Sequence, residues 1–99
     1  MQVWRLNSES AEPHRPRALR SDEGANRVIL LALDAGQDLN EHEVREHALV
    51  FVIAGEVVLR SGAEQETVMA PALVYLRPAE RHAVHANSAC RLVICLAPW

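Results

Sequence analysis

Histidine is the residue type in this sequence whose chemistry is most accessible at neutral pH. The chain contains five histidines, and an imidazole can donate, accept or shuttle a proton or ligate a metal. All ten basic residues are arginine, which excludes the Schiff-base chemistry of lysine and the lysine of a P-loop. The serines lie in polar or turn segments without a nucleophile elbow, so a serine nucleophile is set aside. A site in this protein is therefore sought around histidine.

The two cysteines have the pattern of packing residues. Cys90 and Cys95 lie five positions apart in the apolar segment CRLVIC. On a strand, an odd separation points two side chains to opposite faces, so these two are not expected to pair. Neither a zinc-motif spacing nor further partners at ligand spacing are present. The absence of a disulfide framework favours a reducing, cytoplasmic compartment.

The charge and hydropathy of the chain exclude two classes of partner. Ninety-nine residues allow one domain, and a net charge of −3 leaves no basic surface for a nucleic acid. The longest apolar runs fall far short of the ~18 residues that cross a membrane, and residues 1–25 lack the apolar stretch of a signal peptide. We therefore expect a cytoplasmic protein that binds neither nucleic acids nor membranes.

Turn residues divide the chain into a polar arm and a β-rich domain. Residues 1–27 are predicted to form an N-terminal arm with a short edge strand at residues 3–6. Over residues 28–99, β-rich runs are broken by turn residues every eight to twelve positions, which is typical of an all-β sandwich or barrel. No segment has a convincing helical period. The predicted strands are residues 28–33, 48–53, 57–60, 65–69, 72–76, 82–86 and 90–96.

The run at residues 48–53 is apolar at every position. Alternation therefore does not identify which of its two side-chain sets faces inward. We expect one set to fill a barrel and the other to pack against a neighbouring sheet or a second subunit. Apolar residues on both strand faces of so small a protein predict a homodimer.

Residues 36–55, GQDLNEHEVREHALVFVIAG, resemble the first motif of the cupin superfamily, G-x5-H-x-H-x3or4-E-x6-G. Gly36 and Gly55 match the two glycines of that motif. His42 takes the position of its first histidine.

Residues 71–87, PALVYLRPAERHAVHAN, resemble the second cupin motif, G-x5-P-x-G-x2-H-x3-N. Pro78 matches the proline, His82 matches the histidine one residue early, and Asn87 matches the asparagine after a longer gap. The resemblance covers most of residues 28–99. It implies an all-β, cupin-type jelly-roll β-barrel, here with a polar N-terminal arm, whose inner positions can enclose a ligand.

The resemblance also implies a divalent metal, held in metal-binding cupins by three histidines and a glutamate. Here Val44 and Ala48 occupy the positions of the second histidine and the glutamate, so only His42 and His82 remain. Two imidazoles are fewer than the three protein ligands of a catalytic zinc or non-haem iron site. We therefore expect no cofactor, and His42 and His82 are the expected ligands if a metal binds. A third donor would come from Glu43, Glu46, His47 or His85, although strand alternation turns the last two away.

Three functions remain open. The first is a binding protein for a small molecule. In this protein, His42 and His82 are the polar groups of the pocket. Its apolar floor consists of Val44, Ala48, Val50 and Val52. The second is a metal-dependent enzyme of dioxygenase or isomerase type that uses the same histidines and a third ligand. The third is a structural dimer whose pocket is vestigial. The fold alone does not choose among these activities.

Two arginines flank the proline of the second motif, near the expected mouth of the barrel. Arg77 and Arg81 are candidate ligand-binding residues, because a guanidinium meets a carboxylate with two parallel hydrogen bonds. The alternative is that they pair with Glu80 or with solvent.

Overall fold

A computed structural model describes residues 1–21 and 26–97, apart from the side chain of His42. Its strands are β1 (Arg17–Ser21), β2 (Arg27–Leu33), β3 (Asp38–His42), β4 (His47–Ala54), β5 (Glu56–Ser61), β6 (Glu64–Met69), β7 (Ala72–Leu76), β8 (His82–Ala86) and β9 (Cys90–Ala97). No helix forms within these described ranges, so the all-β prediction is confirmed.

The strands form two antiparallel sheets that pack face to face as a jelly roll. One sheet has the order β1-β2-β9-β4-β7, and the other has the order β3-β8-β5-β6. Over the described residues no strand ladder joins the two sheets, so the predicted barrel is a two-sheet sandwich with open edges. Each sheet therefore keeps two edge strands.

All seven predicted strands form, and their ends agree with the prediction to within one residue. The sequence did not reveal β1 and β3, which are edge strands with mostly polar residues. Residues 3–6 form no strand, and the edge strand of the arm region is β1 instead, paired with β2. Neither β1 nor β3 has the run of β-branched or aromatic residues from which strands are predicted.

The core lies between the sheets, and the pairing of β4 determines which of its residues enter it. Because β4 lies between β9 and β7, one face of β4 is directed at the second sheet. Ala48, Val50 and Val52 lie on that face and are at most 4% exposed. Leu92 of β9 and Val57 of β5 are fully buried in the same cluster. The inward-facing set that alternation left open is therefore Ala48, Val50 and Val52.

The N-terminal arm covers part of the outer face of the five-stranded sheet. Leu30 and Val93 are cross-strand partners on that face, and both are buried. The Arg91 guanidinium donates to the Leu6 carbonyl over 2.6 Å, and the His14 backbone N–H donates to the Ala32 carbonyl over 2.7 Å. The arm thus crosses the β2–β9 half of the sheet.

Candidate functional site

A cavity of about 180 Å³ lies between the sheets. Its walls come mainly from the inward-facing apolar residues of β2, β4 and β9, with Val84 and His82 contributed by β8. Among the described lining residues, His82 is the one polar side chain. Small-molecule sites are lined mainly by apolar side chains with a few polar groups that orient the ligand, and the described lining of this cavity has that character.

The ring of His82 is buried and oriented by a backbone carbonyl. His82 is 6% exposed, and its Nδ1 lies 3.0 Å from the Glu80 carbonyl oxygen. A carbonyl oxygen only accepts hydrogen bonds, so Nδ1 carries the proton and donates it. The neutral ring is consequently the Nδ1–H tautomer, with Nε2 as an acceptor. When the ring is protonated, Nε2 becomes a donor as well.

The turn between β7 and β8 is organised by Glu80. One carboxylate oxygen accepts from the Ser61 hydroxyl over 2.6 Å, and the other accepts from the Arg77 backbone N–H over 3.0 Å. These hydrogen bonds, with that of Ser61 the stronger, hold the pKa of the Glu80 carboxyl below its usual value. The Ala79 N–H donates to the Val44 carbonyl over 2.8 Å, which joins this turn to the loop before β4.

Sequence reasoning missed the part that Glu80 plays in positioning His82. Nothing in the sequence showed that the carbonyl of residue 80 would bind the imidazole two positions later. The apolar walls contributed by Ile29, Leu31 and Ile94 were not named either, although strand alternation places them on one face.

The structure brings most of the predicted pocket residues together. Val44, Ala48 and Val50 line the cavity beside His82, whereas Val52 is buried in the core beyond it. In the β3–β8 pair, the backbone of His42 lies directly opposite that of His82. The side chain of His42 lies outside the described part of the structure.

The two predicted arginine clamps do not line this cavity. The Arg77 side chain is 78% exposed, and its Nε lies 3.5 Å from a Glu80 carboxylate oxygen. The Arg81 side chain is 61% exposed and donates to the Glu41 carboxylate over 2.7 Å. Both exposed guanidiniums therefore lie beside a carboxylate of their own chain, and for Arg77 this is Glu80, the alternative that the sequence left open.

The described side chains do not assemble a metal centre. No group of three or more His, Cys, Asp or Glu residues is placed to hold an ion in the ranges that the structure covers. His47 accepts or donates a 2.6 Å hydrogen bond with the Tyr75 hydroxyl on the outer face, and His85 pairs with Asp38 over 2.6 Å. At the cavity, His82 is the one nitrogen donor shown, fewer than the three ligands of a catalytic zinc or iron site.

A second cavity of about 360 Å³ lies at the open edge between β6 and β7. It is lined by residues 73–76 of β7, by Glu64 and Glu66 of β6, and by His82. His82 is thus the residue that the outer groove and the inner cavity share.

The fold is that of solved cupin structures. The chain superposes on an RmlC-like cupin protein from Desulfovibrio desulfuricans with a TM-score of 0.87 and 17% identity, over 99% of this chain and 97% of that one. A protein with a double-stranded β-helix domain from Klebsiella pneumoniae matches at a TM-score of 0.86 and 16% identity, over 99% and 90%. A protein of unknown function from Streptococcus pyogenes matches at 0.85 and 20%, over 99% and 88%. The chain is therefore a small cupin-fold domain, as its motifs predict.

Sequence comparison adds no closer relative. No protein-family model matches the chain. No curated protein matches it either.

In the described segments there is no helix with the length and hydropathy needed to cross a membrane.

Proposed function

We propose that this protein binds a small, mostly apolar molecule in the cavity between its sheets, with His82 as the polar contact. The observation that carries the proposal is the cavity itself, which is apolar except for one buried imidazole among its described lining. Filling an apolar cavity with an apolar ligand gains dispersion contacts and removes apolar surface from water, and a hydrogen bond to His82 would orient that ligand.

The volume of the cavity and the tautomer of His82 limit the chemical class of the ligand. An apolar cavity of about 150 Å³ accommodates benzene, so 180 Å³ suits a molecule of roughly six to ten non-hydrogen atoms. Nε2 of a neutral His82 accepts from a carboxylic acid or hydroxyl group, and Nε2 of a protonated ring donates to a carboxylate or carbonyl. Small carboxylic acids and carbonyl compounds, with benzoate as the first probe, therefore match the site.

The alternative of a metal-dependent enzyme requires a third ligand that the described side chains do not supply. Val44 and Ala48 bring hydrocarbon to the wall of the cavity, where the motif resemblance implies metal ligands. Metal analysis of protein purified without a histidine tag or chelator separates the two functions. We expect less than one tenth of an equivalent of Fe, Mn, Ni or Zn. A stoichiometric metal that is lost in a His42→Ala variant supports the enzyme instead.

A thermal-shift screen of small acids and carbonyl compounds tests binding. A ligand that binds only the folded state stabilises it in proportion to RT ln(1 + [L]/Kd), and each kcal/mol raises the Tm of a domain of this size by about 4–8 °C. We expect benzoate-sized acids to raise the Tm of the native protein. The shift is expected to disappear in Val44→Phe, which fills the cavity, and to fall in His82→Ala.

His85→Ala is the matched control for the histidine variant. His85 lies on the same strand as His82 but faces away from the cavity, where it pairs with Asp38. We expect this variant to keep the full ligand-induced shift. An acid that raises the Tm equally in the native protein and in the Val44→Phe, His82→Ala and His85→Ala variants binds outside the cavity. That result contradicts the proposal.

A further inference from the structure

The N-terminal arm forms part of the wall of the inner cavity. Among the described lining residues, Pro16 belongs to the arm, directly before β1, and Leu39 belongs to the edge strand β3. Pro16 is an exposed residue, so it borders the cavity on one side and solvent on another. Residues 14–16, which we call the strap, therefore separate the cavity from solvent at this edge.

His14 holds the strap to both sheets. Its backbone N–H donates to the Ala32 carbonyl of β2 over 2.7 Å. Its ring Nε2 donates to the Asp38 carbonyl of β3 over 2.7 Å. Because β2 and β3 belong to different sheets, the strap spans an edge at which no strand ladder of the described residues joins the two sheets.

The backbone of His14 has a conformation that its contacts must enforce. Its φ is +65°, in the left-handed region that residues other than glycine rarely adopt. Such a conformation persists only where the surrounding structure holds it. The hydrogen bond from the ring is exposed, and exposed bonds with few buried contacts open more readily than the interior of a sheet. The strap is therefore expected to open while the sheets stay intact.

The other boundaries of the cavity are held more firmly. The strands β2, β4, β8 and β9 each pair with a neighbour on both sides. In the loop before β4, the Val44 carbonyl accepts from the Ala79 N–H over 2.8 Å, and Glu46 pairs with Arg27 over 2.5 Å. Toward the outer groove, the ring of His82 is 6% exposed and is bound to a backbone carbonyl. Opening at any of these places breaks a ladder, an ion pair or a buried contact.

We propose that the strap is the gate of the ligand cavity. When His14 releases both sheets, it leaves the left-handed region, Pro16 moves away from the wall, and a ligand passes between β2 and β3. This inference rests on the proposed function, because the gate serves the ligand proposed above. Since the strap closes over the empty and the filled cavity alike, weakening it speeds entry and exit together and changes the affinity little.

Thiol labelling measures the opening of the strap without a ligand. In a Cys95→Ala background, Ala48→Cys places a thiol on the cavity wall, whereas the native Cys90 is buried in the core outside the cavity lining. Mass spectrometry during reaction with iodoacetamide gives a labelling rate for each thiol. With His14→Ala we expect the rate at position 48 to rise about fivefold, as the loss of one hydrogen bond predicts. The rate at Cys90, which reports global unfolding, is expected to stay unchanged.

His85→Ala is the matched control, because His85 also pairs with Asp38 but lies outside the strap. We expect it to leave both labelling rates unchanged. Glu46→Ala loosens the loop before β4 and tests an entrance at that loop. The proposal is overturned by an unchanged rate at position 48 in His14→Ala, by an equal rise at Cys90, or by a larger rise in Glu46→Ala than in His14→Ala.

Exchange of 4-fluorobenzoate, followed by fluorine NMR, separates failure of the gate from failure of the proposed function. We expect the dissociation rate to rise about fivefold in His14→Ala, as the labelling rate does, with little change in Kd. Binding with an unchanged dissociation rate contradicts the gate and leaves the proposed function intact. Faster labelling of position 48 without binding of any acid contradicts the proposed function, while the opening of the strap stands.

Discussion

His82 donates its Nδ1–H to the carbonyl of Glu80, the residue two positions before it in the chain, over 3.0 Å. A buried polar group without a partner costs about 1–3 kcal/mol, and this bond gives the Nδ1–H its acceptor. It also decides which nitrogen is the acceptor. The chemistry that the cavity offers a ligand therefore depends on a turn outside the cavity.

The tautomer of His82 is the first prediction. Because Nδ1 donates to a carbonyl, the neutral ring is expected to carry its proton on Nδ1, with Nε2 unprotonated. Nitrogen-15 NMR of the imidazole side chains above the pH at which they titrate distinguishes the two forms. Comparison with a His82→Gln spectrum assigns the signals. An Nε2–H tautomer for His82 contradicts the orientation described above.

The second prediction concerns acid stability. Hydrogen bonds from Ser61 and from the Arg77 backbone lower the pKa of Glu80 in the folded state, below the ordinary value of 4.5. A group whose pKa is lowered by folding stabilises the protein above its unfolded pKa, and that contribution is lost as the pH falls through the folded pKa. The free energy of unfolding should therefore decrease as the pH falls below 4.5.

Glu80→Gln tests the source of this dependence. The amide retains an acceptor for Ser61 but does not titrate, so the decrease below pH 4.5 should be shallower in urea unfolding curves. Some dependence should remain, because the hydrogen bond from Arg27 also lowers the pKa of Glu46. Identical pH profiles for the native protein and the variant count against a structural role for the Glu80 carboxylate.

The third prediction concerns the tight turn between β4 and β5. Gly55 has φ of +82°, and a Cβ there would lie 2.2 Å from the Ala89 carbonyl oxygen and 2.8 Å from the Cys90 Cα. Gly55→Ala is therefore expected to destabilise the fold by about 3 kcal/mol or more, since backbone strain and a backbone clash add. Gly62 also has positive φ but open space around it. Gly62→Ala should cost only about 1–2 kcal/mol in the same urea titration.

The sequence predicted seven strands, including the edge strands β6 and β7, but it did not reveal the edge strands β1 and β3. Apolar runs bounded by turn residues, such as residues 28–33 and 90–96, are predictable because a central strand buries more of their apolar surface than an exposed segment would. By contrast, β1 and β3 are held by backbone pairing to a neighbour, and their polar side chains carry no periodic signal. The inward-facing set of β4 became clear only from its neighbours, because both alternating sets are apolar.

Site residues were predictable where the cupin motifs and the alternation of side chains along a strand indicate the same inward-facing positions. Val44, Ala48, Val50 and His82 were named from the sequence, and all four line the cavity. The arginines were less predictable, because long, flexible side chains near a turn pair with whichever carboxylate the fold brings close. Arg81 and Glu41 are far apart in the sequence, and only the pairing of β3 with β8 brings their strand ends together.

The most direct test of the account is a crystal structure of the protein grown with the acid that raises its Tm most, beginning with benzoate. We expect elongated density of about six to ten non-hydrogen atoms between the sheets, in contact with Ala48 and Val50, with an oxygen within hydrogen-bond distance of His82 Nε2. A saturating acid found outside the cavity contradicts the proposed function, and so does a strong spherical peak beside His82 with three protein ligands.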